Sequence, residues 1–302
     1  VCASLAASLA FAASLAASLA YSVGNEQLDA IIISVLSGGG VKGVVFMGSI
    51  KYLVENNIIN FNKINKIYCV SASSLFIISL ILVNYDLNIL ENDLYNYDIS
   101  KLINLDNISL KNFIDNYGMI NNNYIYKYIQ EILINKYNCD SMSLLKFYKI
   151  FGKHIIIKVT NISNNKIEYI DHINNPKINI LNLIQMTTSI PFLISPIKYK
   201  NNLYLDGGLT GNSISEMNKD NYLNIEIYNI SEKIDNICDF INKIGKLHSP
   251  DYLIREYNKR NIKIICNNSA FNFKLTNKEK KYIFDQGYKQ TKEHMINHQV
   301  HL

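Results

Sequence analysis

IYCVSASSLF, residues 67–76, runs from a short apolar stretch through a cluster of serines into a second apolar stretch. The pattern predicts a strand that turns abruptly into a helix, with Ser71 at the corner. Enzymes that hold a nucleophilic serine on such a corner usually flank it with glycines two residues before and two after, because the turn is strained and crowded. Here those places hold Cys69 and Ser73. Taken alone, Ser71 reads more readily as a polar residue capping a helix start than as a nucleophile.

Upstream, SGGGVKG (37–43) lies between the apolar run IIISVL (31–36), which reads as a buried strand, and VVFMGSIKYLVENN (44–57), whose Phe46, Ile50, Leu53 and Val54 recur at helical spacing. Glycines there let backbone N–H groups approach a ligand closely, so something negative is expected at the loop. Gly38, Gly40 and Gly43 satisfy G-x-G-x-x-G, yet a dinucleotide site also wants an acidic residue roughly 20 positions on, at the end of the next strand. That strand, INKIYCV (64–70), ends in Cys69-Val70-Ser71 with no acid. A phosphate-binding P-loop fails as well, since no Lys-[Ser/Thr] pair follows its four-residue spacer. The third reading is an oxyanion hole, in which loop N–H groups and the positive end of the following helix stabilise a tetrahedral intermediate. In a parallel sheet the carboxyl ends of neighbouring strands share one edge, so this loop and Ser71 are expected to face one crevice.

Serine is a weak nucleophile without an adjacent base. The histidines after Ser71 are His154, His172, His248, His294, His298 and His301, and none sits in a strand-end loop beside a glycine or a turn signal. Asp206 in LYLDGGLTGNS (203–213) is the better candidate, because the acid ends a strand and two glycines let the chain turn at once. Asp-Gly is also an ordinary turn signal.

From residue 28 onward, short β-type runs alternate with longer helical patterns, which predicts an α/β fold with a largely parallel sheet. SSLFIISLILVNY (73–85) is apolar on nearly all sides and predicts a helix buried in the domain centre. Residues 86–150 read as a helical insertion among asparagine-rich loops. HIIIKVTN (154–161) and KIEYID (166–171) return to strand character about the Ser163-Asn164-Asn165 turn, and a helix is expected near 177–187 before a loop punctuated by Pro191 and Pro196. IKYKNNLYLD (197–206) predicts a hairpin about Asn201-Asn202. A strand at 222–229, a helix near 234–246, a strand at 261–267 and a closing helix from about 277 complete the outline.

The chain has 302 residues with 48% apolar content, and no Gly/Pro-rich linker divides 25–302, so that span reads as one domain. Residues 1–24 are built from ASLAASLA-type repeats without a single Asn, Lys or Ile; they approach the length of a membrane span but lack the basic flank of a signal peptide, and read as a low-complexity Ala/Ser/Leu helix that is either added or not native. The net charge of +5 is spread without a basic run, so nothing in the pattern asks for a nucleic-acid partner. Cys2, Cys69, Cys139, Cys238 and Cys266 are isolated and odd in number, which argues against a disulfide framework or a zinc site and for a reducing, intracellular compartment.

Taken together, LSGGGVKG (36–43), CVSASS (69–74) and DGG (206–208) resemble the motifs of the patatin-like phospholipases: a G-G-G-x-[RK]-G oxyanion loop, a G-x-S-x-G elbow and a D-G-[GA] turn. The stretches KVTNI, KIEYI and TTSIPFLISPIKYKNNLYLDGGLTGN look like the family's approach to its aspartate, and LTNKEKKYIFDQGYKQT like its last helix, so the resemblance spans nearly all of 28–295. It implies a three-layer α/β/α fold with a mostly parallel central sheet and a helical insertion. It assigns the nucleophile to Ser71 and the base to Asp206, and it places Gly38, Gly39, Gly40 and Gly43 on the oxyanion loop with Lys42 at its basic position. The implied activity is hydrolysis of fatty-acyl esters of glycerophospholipids, with no metal or cofactor, on a phospholipid or membrane-surface substrate, and with an activating protein partner or a homo-oligomer left open. Because Cys69 and Ser73 replace the elbow glycines, a second reading is a catalytically impaired relative that serves as a binding or structural component of an assembly.

Overall fold

In a computed structural model of the protein, the described residues are 32–36, 40–101, 103, 108–122, 124–210, 222–228, 234, 240, 261–267 and 273–298. Segment 1–24, Gly38, Gly39 and most of the helix expected near 234–246 lie outside them.

The expected alternation is present. Strand β1 (Ile32–Leu36) leads through a 3-10 turn at Gly40–Gly43 into α1 (Val44–Glu55), then come β2 (Lys66–Val70) and α2 (Ala72–Leu82). The insertion supplies α3 (Leu87–Asn96), α4 (Leu110–Asn116), β3 (Gly118–Ile120), α5 (Lys127–Tyr137) and α6 (Leu144–Phe151). Asp86, Ser109 and Ser143 cap α3, α4 and α6 by accepting first-turn N–H groups, as short polar side chains do at helix starts. Next are β4 (His154–Asn161), β5 (Lys166–Ile170), α7 (Ile180–Thr187), β6 (Phe192–Ile194), β7 (Ile197–Tyr199), β8 (Asn202–Asp206), β9 (Tyr222–Tyr228), β10 (Asn261–Ile265) and α8 (Asn277–His298).

The main sheet runs β10-β9-β1-β2-β4-β8-β7, with β5 also paired to β4. From β10 to β4 every pairing is parallel, and β5, β7 and β8 add antiparallel pairs. Ile67, Tyr68, Cys69 and Val70 are all buried although successive side chains point to opposite faces, so β2 is covered on both sides, as a three-layer α/β/α arrangement requires. On α2, Phe76, Ile77, Ile78, Leu80, Ile81 and Leu82 are buried in the core, each worth about 1.5–3 kcal/mol. That dense packing anchors the helix that starts at Ser71.

One pairing decides the site. β5 and β2 both pair with Ile157 and Lys158, so they must occupy opposite edges of β4; β5 and β8 both pair with Val159, Thr160 and Asn161, so they too are on opposite edges. β2 and β8 therefore share one edge of β4 end to end. Val70 stands opposite Lys158, and Asp206 stands opposite the next residue, Val159. The chain leaving β2 at Ser71 meets the end of β8 head-on.

Two expectations need correction. The hairpin turns at Lys200-Asn201, one residue earlier than expected: these two have φ of +46° and +65°, as a primed two-residue turn demands, while Asn202 already pairs with Tyr199. The insertion and the proline-bounded loop are also not purely helical and irregular, since β3 and β6 form a small parallel pair, Gly118 opposite Phe192 and Ile120 opposite Ile194. Strands of three residues are too short for a period-two pattern to announce them.

Candidate active site

At the end of β2 the backbone turns through Ser71 with φ of +54° and ψ of −130°. A non-glycine residue at positive φ is uncommon and costs about 1–3 kcal/mol, which the surrounding packing must offset. Ser71 occupies the N-cap position of α2, yet its side chain makes no capping bond. Instead its Oγ donates to Asp206 Oδ2 at 2.6 Å. The choice left open at the corner is thereby decided in the fold: the hydroxyl serves the carboxylate and not the helix.

The residues in place of the elbow glycines take different roles. Cys69 is fully buried among apolar side chains, and burial pushes its thiol pKa far above the usual range. Ser73 Oγ accepts from Val70 N–H at 2.9 Å and donates to Val70 O at 2.7 Å. Its hydroxyl thus ties the first turn of α2 back to the last residue of β2, across the corner that a glycine would leave slack.

Asp206 is held on every side. Its N–H donates to Ser189 O at 2.9 Å and its carbonyl accepts from Thr160 Oγ1 at 3.0 Å, while Oδ1 accepts from Gly208 N–H at 2.7 Å. The carboxyl is only 5% exposed. Burial pushes its pKa up to about 6, against the hydrogen bonds from Ser71 and Gly208 and the charge of Lys158, which pull it down. A carboxyl with such a pKa is mostly ionised at neutral pH and still takes a proton more readily than an exposed carboxylate. Gly207, directly after it, has no room for a side chain: a Cβ there would stand 2.3 Å from Lys158 O and 2.9 Å from Val70 Cγ2. The first glycine of the DGG turn is required because the chain leaving β8 presses against the backbone of β4 at Lys158.

Of the predicted oxyanion-loop residues, Gly40 has φ of +50°, Lys42 is buried, and Gly43 packs against the elbow, its Cβ position 3.4 Å from Ala72 Cβ. Gly38 and Gly39 lie outside the described residues. The N-terminus of α1 carries no side-chain cap. The fold thus brings Ser71, Asp206 and the end of the glycine loop together.

The described histidines lie elsewhere, while His248 and His301 are outside the described residues. His154 is opposite Lys66, the first residue of β2, so it sits at the far edge of the sheet from Ser71, about 15 Å away by strand length, and its Nε2 is 2.8 Å from Asp171 Oδ2. His172 stacks on Tyr148, and His294 and His298 lie on α8. Among the described residues, no group of three or more His, Cys, Asp or Glu is placed to hold a metal ion, and no helix is long and apolar enough to cross a membrane.

Sequence reasoning missed two residues beside the Ser71–Asp206 pair. Thr187 Oγ1 accepts the N–H of Ser71 at 2.8 Å and donates to Lys158 O at 2.8 Å. Lys158 is itself buried, and its Nζ is 3.5 Å from Thr210 O in the turn after Asp206. A lysine in the middle of the apolar run HIIIKVTN was a legible signal for it; Thr187 carried none by itself.

The model of the patatin-like phospholipase family matches residues 35–216, more than half of the chain. The chain belongs to the patatin-like phospholipase family. A relative from Acanthamoeba polyphaga mimivirus, an uncharacterised protein, is 26% identical over 280 residues, covering 86% of this chain and 92% of its own. A probable lipid hydrolase of Invertebrate iridescent virus 6 is 30% identical over 180 residues, 59% of this chain and 60% of that one. Among solved structures, VipD from Legionella pneumophila has a TM-score of 0.60 at 18% identity, over 89% of this chain and 67% of its own, which shows a shared patatin-like fold. Membership of the family and the likeness to a probable lipid hydrolase support a lipase or phospholipase activity in general terms.

Proposed function

We propose that this protein is a lipid acyl hydrolase that cleaves fatty-acyl esters of glycerophospholipids through a Ser71–Asp206 dyad, with the loop from Gly38 to Gly43 as the oxyanion hole. The observation that carries the reading is the 2.6 Å bond from a positive-φ serine to a buried carboxylate poised near neutrality. Strained backbone and a shifted carboxyl pKa at one point are features that folds retain at reacting centres.

The chemistry follows from the geometry. As Ser71 Oγ bonds to the ester carbonyl carbon, its proton passes to Asp206 Oδ2. The oxyanion that forms is stabilised by N–H groups of the glycine loop and the positive end of α1. Asp206 then gives the proton to the departing lysophospholipid oxygen, leaving an acyl group on Ser71. A water molecule, deprotonated by Asp206, attacks that acyl group; the fatty acid leaves and Ser71 Oγ regains the proton. The scheme uses no histidine and no cofactor. Phospholipid at a membrane surface is the substrate proposed, in an intracellular, reducing setting that the thiols of Cys69 and Cys139 suit.

The test is hydrolysis of phospholipid vesicles and of a short-chain ester by the wild type beside Ser71→Ala and Asp206→Asn. We expect both variants to lose activity by at least 1,000-fold, the order seen when a member of a catalytic serine unit is removed. If all three proteins hydrolyse equally slowly, the reading is wrong and the fold serves as a binding or structural component.

A further inference from the structure

The dyad is assembled from two distant parts of the chain, and both touch one three-residue segment. Ser71 donates its N–H to Thr187 Oγ1 at 2.8 Å, and Asp206 donates its N–H to Ser189 O at 2.9 Å. Thr187 is fully buried, and its hydroxyl donates a hydrogen bond to Lys158 O at 2.8 Å, the carbonyl against which Gly207 packs. The segment is itself locked from the other side: Asn122 of the insertion donates to Ser189 Oγ at 2.7 Å and to Gln185 O at 2.8 Å. With φ at +54°, Ser71 points its N–H out of both the sheet ladder and the helix, and the hydroxyl of Thr187 is the acceptor that meets it.

We propose that Thr187 is a positioning residue for the reaction: its side-chain hydroxyl holds the strained Ser71 backbone in register with β4, so that Oγ stays aimed at Asp206 where the elbow glycines are absent. The inference rests on the Ser71–Asp206 reading. It deepens that reading by naming what fixes the nucleophile's orientation. Thr187 touches no reacting atom and acts only through Ser71. A displacement of about 1 Å at a reacting group is enough to lower a rate about 100-fold, so loss of the brace acts on turnover and leaves substrate affinity alone.

The experiment compares wild type, Thr187→Val, which keeps the shape and removes the hydroxyl, and Thr187→Ser, which keeps the hydroxyl. Two readouts are taken on the folded full chain: kcat and KM for p-nitrophenyl butyrate, and hydrogen exchange of the Ser71 amide by NMR. Expected for Thr187→Val is a kcat lowered about 10- to 100-fold with KM within about twofold, together with a Ser71 amide that exchanges much faster. Thr187→Ser should stay within about threefold of wild type in both, as retention of the hydroxyl predicts. Thr187→Val with wild-type kcat, or Thr187→Ser as damaged as Thr187→Val, overturns the proposal. If Thr187→Val does not fold, the Ser71 amide of the wild type decides, and an unprotected amide there overturns it. A wild type that hydrolyses no ester sinks the hydrolase reading instead, while the amide exchange still judges the brace.

Discussion

Asp206→Asn should abolish activity and at the same time stabilise the protein at neutral pH. The carboxyl has a pKa of about 6 in the fold against an ordinary 3.8, chiefly because burial penalises its ionised form. At 1.36 kcal/mol per pH unit, that gap of about two units means that the ionised carboxylate costs the fold about 3 kcal/mol above pH 6. Between pH 3.8 and 6 the folded protein binds the proton that the unfolded chain has already released, so stability falls as pH rises through this window. Asparagine is neutral throughout. The gap already includes what the ionised carboxylate gains from Ser71, Gly208 and Lys158; the amide buries one more N–H than a protonated carboxyl does, which offsets about 1–2 kcal/mol and leaves a net gain of about 1–2 kcal/mol at pH 7.5. For a domain of this size the gain corresponds to a melting temperature higher by about 2–8 °C. Scanning calorimetry at pH 7.5 and pH 4 is the assay, and the gain should disappear at the lower pH, where wild-type Asp206 is protonated. An asparagine variant that melts below wild type at pH 7.5, or gains as much at pH 4 as at pH 7.5, would refute the burial argument and with it the poised base.

The same pKa sets an acid limb on catalysis: wild-type kcat/KM should fall about tenfold per unit below pH 6. Lys158→Met removes the positive charge that pulls the Asp206 pKa down, so a pH–rate profile should show that limb moved to higher pH; a limb that stays put means Lys158 does not act on the base. Gly207→Ala forces a Cβ to within 2.3 Å of Lys158 O, which should lower stability by about 1–3 kcal/mol and reduce kcat by pushing Asp206 off Ser71. Thermal melts and ester hydrolysis measured together check both parts. Ser73→Ala unties the two bonds to Val70, for a loss of about 1–2 kcal/mol in a urea titration; unchanged stability would show that the elbow is held without this hydroxyl.

Much of the architecture was legible because the signals were local. β4 was bounded correctly from HIIIKVTN, and β2 and α2 fell within two or three residues of their expected ends, since continuous β-branched runs and an all-round apolar helix are recognisable without partners. β3 and β6 were not, because three residues acquire strand character only by pairing with each other across the chain. Thr187 was missed for the same reason. Its sequence neighbours describe the end of a helix, and its two hydrogen-bond partners, Ser71 and Lys158, are 116 and 29 residues away. The missing elbow glycines were readable as an anomaly, whereas the use of Ser73 Oγ as a tie to both polar groups of Val70 depends on how closely α2 folds back on β2.

By itself, the sequence determined the longer elements, their order, and the three chemistry-bearing motifs, because hydrophobic period, glycine clustering and residue type are properties of short segments. The tertiary structure alone decided that Ser71 meets a carboxylate. β2 and β8 abut along one edge of β4, so that Val70 and Asp206 stand opposite the consecutive residues Lys158 and Val159. Two residues 135 positions apart are thereby set 2.6 Å from each other. No local pattern encodes that meeting, since it depends on a shared strand edge that exists only once the sheet has formed.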